Sequence, residues 1–202
     1  MVINKRIKNT IKLNKSGPAI FMYSVIGAGI LISTVNFSLY YIYEIKKSIV
    51  LWIGIVSFMI VYHLWLRIIM GNITKLFKLS YKMKWFKEQS FEKHLYKLLK
   101  VKKWKGKALT YNPELFSLKK YTYYEIANTM TKAETDHWLN VLISLSSLLF
   151  ALVWGKFPIF LTTCIAAMLF DGQFVVIQRY NRPRILKLAS LHHKKENKPI
   201  KC

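Results

Sequence analysis

Cysteine and acidic side chains are scarce in this chain, and each scarcity closes off a class of protein. Two cysteines occur in 202 residues, Cys164 inside an apolar run and Cys202 at the last position. A disulfide framework and a thiolate zinc site are therefore both excluded. The 8 glycines and 5 prolines form neither a collagen-type period nor a Gly-rich phosphate loop. That removes fibrous arrays and the nucleotide-type cofactor sites of reductases and methyltransferases. Asp and Glu number 9 against 32 Lys and Arg. An excess of this size points to polyanions or a membrane surface, and the positions of the charges decide between them.

Hydrophobic residues make up 53% and aromatics 15% of the chain, which is incompatible with disorder. The charges are segregated from long apolar runs, so an ordinary soluble enzyme is excluded. A crossing of the hydrocarbon core takes about 20 apolar residues. Four runs qualify: 19–43, opened by Ser16 as an N-cap and Pro18 in the first turn; 48–70; 138–154, short for a full crossing; and 157–177. The first is too long for a removable signal peptide and lacks a small-residue cleavage pattern. The expected architecture is an all-α integral membrane protein. It has four transmembrane helices in two hairpins, a basic amphipathic helical cap over 71–137 and a basic tail over 178–202. The whole chain, 1–202, is read as a single membrane domain.

All basic residues except Lys46, Lys47 and Lys156 fall on one side of that arrangement. Positive loops stay in the cytoplasm, so both termini and the cap are expected on the cytoplasmic face of the plasma membrane. Juxtamembrane lysines mixed with aromatics suit anionic lipid and phosphate-bearing small molecules rather than nucleic acid.

Within the cap, Trp85, Phe86, Phe91, Leu95, Leu98 and Leu99 recur near helical spacing, with Lys87, Lys93, Lys97 and Lys100 on the other face. An interfacial helix with snorkelling lysines is expected there, with His94 at the edge of its apolar stripe. A second helix over 123–137 runs into the third span. Glu134 and His137, three apart, share one of its faces, so the carboxylate is placed to orient the imidazole as a general base. Where the fourth span ends, Arg179, Arg182 and Arg184 cluster around Pro183 beside Asn181. They form either a membrane anchor or a bidentate phosphate pocket.

Two ionisable groups lie inside spans. His63 is seven residues before Met70 and Asp171 six before Ile177, which puts both about 10 Å inside the same edge. An inter-helix hydrogen-bonded pair is the favoured reading, with a catalytic relay or a polar contact to substrate as the alternative, because such groups are costly in hydrocarbon and need partners. Arg67 is one turn from His63. His63, His94, His137 and Asp171 would converge on a metal only if the cap folded down over the spans, so neither metal nor other cofactor is expected.

The blocks Trp85-Phe86-Lys87, Phe91-Glu92-Lys93-His94, Val101-Lys102-Lys103-Trp104-Lys105, Ala133-Glu134 with His137-Trp138, and Gln178-Arg179-Tyr180-Asn181-Arg182-Pro183-Arg184 stand in this order. Together they resemble the glycosyl-4,4'-diaponeurosporenoate acyltransferases of staphyloxanthin-type carotenoid synthesis, over roughly residues 85–188. The resemblance implies a membrane O-acyltransferase that esterifies a sugar hydroxyl of a glycosylated carotenoid, or a related glycolipid, with a fatty acyl chain. Its partners would be an acyl donor such as acyl-CoA, the glycolipid acceptor and anionic membrane lipid. Carried over by motif, His137 and His94 are the acid/base candidates and Glu134 orients His137. Arg179, Asn181, Arg182, Arg184, Lys93 and Trp104 are the substrate-binding candidates. No Ser or Cys stands in a nucleophile-elbow context, so direct transfer is expected, with Arg179 or Asn181 stabilising the oxyanion. The competing function class is a non-enzymatic lipid-binding or scaffold protein working through the lysine-rich cap.

Overall fold

A computed structural model of the chain describes residues 17–108 and 113–196. Ser16, Cys202 and the end of the basic tail, 197–202, lie outside the described residues. The structure is 83% helical, and no strand occurs among the described residues. Four helices are long and apolar enough to cross a membrane: Ile20–Tyr41, Ser48–Leu76, Tyr123–Trp154 and Phe157–Lys195.

The first hairpin pairs α1 (Gly17–Tyr41) with α2 (Ser48–Ile73). Its seam relies on small residues. A Cβ on Gly29 would lie 2.6 Å from Val61 Cγ2, and one on Gly54 would lie 3.0 Å from the Phe37 ring. Close backbone approach supplies the dispersion that replaces a hydrophobic driving force in lipid. Lys46 closes the turn by donating to the Tyr40 carbonyl at 2.9 Å, with its ammonium over the Tyr40 ring.

In the cap, α3 (Glu92–Leu98) and α4 (Val101–Trp104) are short helices flanked by 3-10 turns at Lys84–Phe86 and Lys105–Lys107. The amphipathic stretch expected over 85–100 is thus broken, and most of its apolar stripe faces away from the protein while a polar pair beside it is buried. Glu92 and Tyr96 are the buried residues of α3, while Phe91, Leu98 and Leu99 are exposed. The reason is an arginine on the fourth span that draws Glu92 inward. The displaced apolar side chains, with Trp85, form the face free to enter a headgroup layer.

The second hairpin begins earlier and ends later than the apolar runs suggest. Helix α5 (Tyr123–Ser146) starts at a capping box in which Thr122 and Glu125 satisfy each other's backbone N–H groups. It continues through a 3-10 turn at Ser147–Phe150 into α6 (Ala151–Trp154). Gly155, at φ 64°, reverses the chain. Helix α7 (Phe157–Glu196) then runs for 40 residues with Pro183 inside it. At 1.5 Å per residue it is about 60 Å long, twice a hydrocarbon core, so its second half stands outside the bilayer and supports the cap.

Leu51, Ile55, Met59 and Phe160 form a buried cluster joining α2 to α7, surrounded by Phe37, Phe58, Phe150 and Trp154. Phe37 and Trp154 stack at 5.6 Å, and Trp154 stacks on Phe160 at 5.8 Å. At the other end, Tyr96, Val101 and Tyr180 pack α3 and α4 against α7, with Trp104 alongside. Tight packing at both ends of the second hairpin fixes the register in which α5 and α7 present their polar groups to each other.

Candidate active site

Two layers of buried polar groups lie along the α5–α7 seam. The layer nearer the cap is built on Glu134, whose side chain is wholly buried. Its two oxygens are taken separately: Arg179 Nε donates to Oε1 at 2.7 Å, and Arg182 Nη1 donates to Oε2 at 2.5 Å. Arg179 also donates to Glu92 Oε1 and to the Trp85 carbonyl. Arg182, only 2% exposed, spends its remaining donors on the Phe86 carbonyl at 2.6 and 3.0 Å. The Tyr96 hydroxyl donates to Glu92 Oε2 at 2.7 Å. Burial, with that carboxylate as acceptor, pushes the Tyr96 phenol far above its ordinary range, so it remains a donor. Two carboxylates and two guanidiniums neutralise each other and pin the cap to α7. Paired in this way they are stable together, and removing one member strands the rest.

Two expected arrangements are corrected here. Glu134 holds Arg179 and Arg182 and makes no hydrogen bond to His137, because across the seam its face meets the arginines of α7. Arg179 and Arg182 in turn are occupied by Glu92, Glu134 and two backbone carbonyls, so neither presents an open fork to an anion.

The deeper layer contains His137. Its Nδ1 lies 2.8 Å from Asp171 Oδ1, and its ring stacks on Phe174 at 4.7 Å. Asp171, with a side chain 1% exposed, also receives Arg67 Nη2 on Oδ2 at 2.6 Å, Arg67 Nε on Oδ1 at 3.3 Å and Asn140 Nδ2 on Oδ1 at 3.4 Å. Arg67 thus cancels the carboxylate charge inside the span, and Asp171 fixes the imidazole with Nδ1 as donor. The His137 side chain keeps 22% of its surface exposed, and its Nε2 has no hydrogen-bond partner among the described residues.

His63 and Asp171 are both buried, as their depth suggested, but they are not hydrogen-bonded to each other. Asp171 pairs with His137 and Arg67, and His63 Nδ1 meets Ser144 Oγ at 3.4 Å. The Ser144 hydroxyl donates to the Asn140 carbonyl at 2.8 Å, so it accepts from His63 and leaves Nε2 of His63 as an acceptor. That nitrogen and Asn140 Oδ1 are buried without partners. Two orphaned acceptors beside a histidine–aspartate pair suit a ligand that carries hydroxyl donors.

The remaining candidates lie on the cap. His94 and Lys93 are exposed on α3 and make no contact with His137. Trp104 is half-buried and donates to the Leu99 carbonyl at 2.8 Å. Asn181 accepts from Lys105 Nζ at 2.7 Å, and Arg184 donates to the Tyr180 carbonyl while lying over the Tyr180 ring. Sequence reasoning missed Arg67 as the partner of Asp171, although its place one turn from His63 was the signal, and it missed Glu92 entirely. Among the described residues no three His, Cys, Asp or Glu side chains form a group that could hold a metal.

Four long apolar helices, three of which contribute a histidine–aspartate–arginine cluster around the buried Asp171, define a multi-pass membrane protein with ionisable groups at membrane depth, where such groups serve function or pair structurally. The family model for glycosyl-4,4'-diaponeurosporenoate acyltransferase matches residues 82–191, more than half of the chain, and the chain belongs to that family. Membership supports an acyltransferase. Neither curated proteins nor solved structures give a match. The matched stretch contains His137, Asp171, Glu92, Glu134 and all three arginines of α7, whereas His63 and Arg67 come from the hairpin that precedes it.

Proposed function

We propose that the protein is a membrane O-acyltransferase. In this reading it transfers a fatty acyl chain to a sugar hydroxyl of a glycosyl-4,4'-diaponeurosporenoate or a related glycolipid, at the inner leaflet of the plasma membrane. The observation that carries the reading is the His137–Asp171 contact at 2.8 Å with the second imidazole nitrogen unoccupied. Such a pair is the machinery for deprotonating an alcohol.

Nε2 of His137 takes the hydroxyl proton as the oxygen attacks the carbonyl of an acyl thioester or similar donor. The carbon–sulfur bond breaks, and the imidazolium returns its proton to the leaving thiolate. Asp171 holds Nδ1–H throughout and stabilises the imidazolium, while Arg67 keeps the resting cluster near neutrality. Glu134 acts in this scheme by holding the cap, and His94 takes no part in the proton transfer. Two cavities elsewhere, one of about 790 Å³ between 118–125 and the last turns of α7 and one of about 270 Å³ beside Arg182, are not lined by His137. In this reading the acceptor, itself membrane-dissolved, reaches the partly exposed His137 side chain laterally from the lipid.

The test is lipid extraction and mass spectrometry of cells that make the glycosylated acceptor, carrying wild type or His137→Gln. Wild type should add one acyl chain and the variant should not. Full acylation by a normally inserted His137→Gln protein would end this assignment.

A further inference from the structure

With Arg179 and Arg182 neutralised by carboxylates, a second group of cations on this edge is formed by Arg184, further along α7, and by Lys102 and Lys105 of the cap. Lys105 Nζ is 4.9 Å from the centre of the Tyr180 ring, and the Arg184 guanidinium is 3.4 Å from the same centre. Lys102 is near enough to add its field to that of Arg184 at Lys105. Their neutral partners are Asn181 Oδ1 for Lys105 and the Tyr180 carbonyl for Arg184. Among the described residues none of the three forms an ion pair with a carboxylate. Burial, followed by Arg184 and Lys102, holds the Lys105 ammonium below its ordinary value. The fold therefore gathers like charges around an aromatic ring, on a backbone anchored by the Tyr96–Val101–Tyr180 cluster, with no carboxylate paired to them among the described residues.

We infer that Lys102, Lys105 and Arg184 form a phosphate-binding site that holds the phosphoester portion of the acyl donor. The site deepens the acyltransferase reading and rests on it for the donor's role, although not for phosphate binding itself. Arg184 lies seven residues beyond Ile177, about 10 Å past the expected hydrocarbon edge. The headgroup layer there is about 5–7 Å thick on each side, so the site stands at its boundary with water. Asp171 is thirteen residues back along the same helix, about 20 Å deeper. A donor held by its phosphates at Arg184 would have to extend its acyl-bearing arm inward along α7 to meet His137. Arginine gives the planar fork that recognises phosphate oxygens, and Lys105, already partly desolvated, gains most from an anion.

Purified protein tests this with two probes. Inorganic pyrophosphate titrated into detergent-solubilised protein stands for a soluble donor. Phosphatidylglycerol, against phosphatidylcholine in nanodiscs, stands for an anionic lipid headgroup and is read by native mass spectrometry of retained lipid. Wild type should bind at least one probe, and Lys105→Gln/Arg184→Gln should bind it at least tenfold more weakly. Lys102→Gln with Arg184→Lys, which keeps the Tyr180 packing, should fall between them. Pyrophosphate binding supports a soluble phosphoester donor, whereas phosphatidylglycerol retention without pyrophosphate binding overturns the donor assignment, because a glycerophospholipid's acyl ester lies a few bonds from its phosphate and cannot span about 20 Å to His137. Absence of both, or equal binding by wild type and every folded variant, overturns the site. Binding lost from the variants while acylation in cells stays at the wild-type rate overturns its assignment to the donor. Binding kept in a wild type that acylates nothing leaves the phosphate site standing and ends the acyltransferase reading.

Discussion

At the scale of single residues, the two polar layers should respond to substitution in opposite ways. His137→Gln keeps the helix and a polar side chain but removes the base, so acylation should fall about 10²–10⁴-fold with melting unchanged. Glu134→Ala removes the partner of two buried guanidiniums and should cost about 3–5 kcal/mol. It should also expose residues 84–108 to limited proteolysis, with activity lost in proportion to folding. A thermal melt beside each acylation assay separates the two. His137 was legible in the sequence through its place on the helix that enters the third span. Its partner was not, because spacing along one helix reveals which side chains share a face and says nothing about which neighbouring helix meets that face. Glu134 met arginines and His137 met Asp171, and both partners lie on α7.

At the scale of elements, apolar runs located all four spans, and their ends were set by forces that composition hides. The apolar run of the third span is 138–154, and the helix expected over 123–137 runs into it without a break, starting at the Thr122 cap and carrying Glu134 and His137. The fourth run stops at Ile177, but α7 continues because Arg179 and Arg182 are tied to the cap, and it passes through Pro183 despite the bond that proline cannot donate. In the cap, the apolar stripe read as an interfacial face leaves Phe91, Leu98 and Leu99 exposed, and what the pattern hid is that the neighbouring Glu92 and Tyr96 are the residues buried against α7. At the α1–α2 seam, Gly29→Leu should drive the helices apart against Val61 at a cost of about 1–3 kcal/mol. A disulfide introduced across this hairpin should form less efficiently in that variant. Acylation should fall as well, because α2 positions Arg67 and His63.

At the scale of the whole molecule, the central claim is geometric. In the proposed function, a basic cap and a membrane-deep base belong to the same side of the bilayer, where a lipid alcohol and an activated acyl group would meet. Single cysteines at Lys46 and Lys156, in a Cys164→Ala/Cys202→Ser background, should react with an impermeant maleimide added to intact cells. A cysteine at Lys102 should react only after the membrane is opened. Topology alone leaves the chemistry to be decided, and the acylation assay decides it. In cells supplied with the glycosylated acceptor, wild type should yield a product heavier by one fatty acyl group, while equal amounts of membrane-inserted His137→Gln should yield only the unacylated lipid. Identical product from both strains would contradict the account.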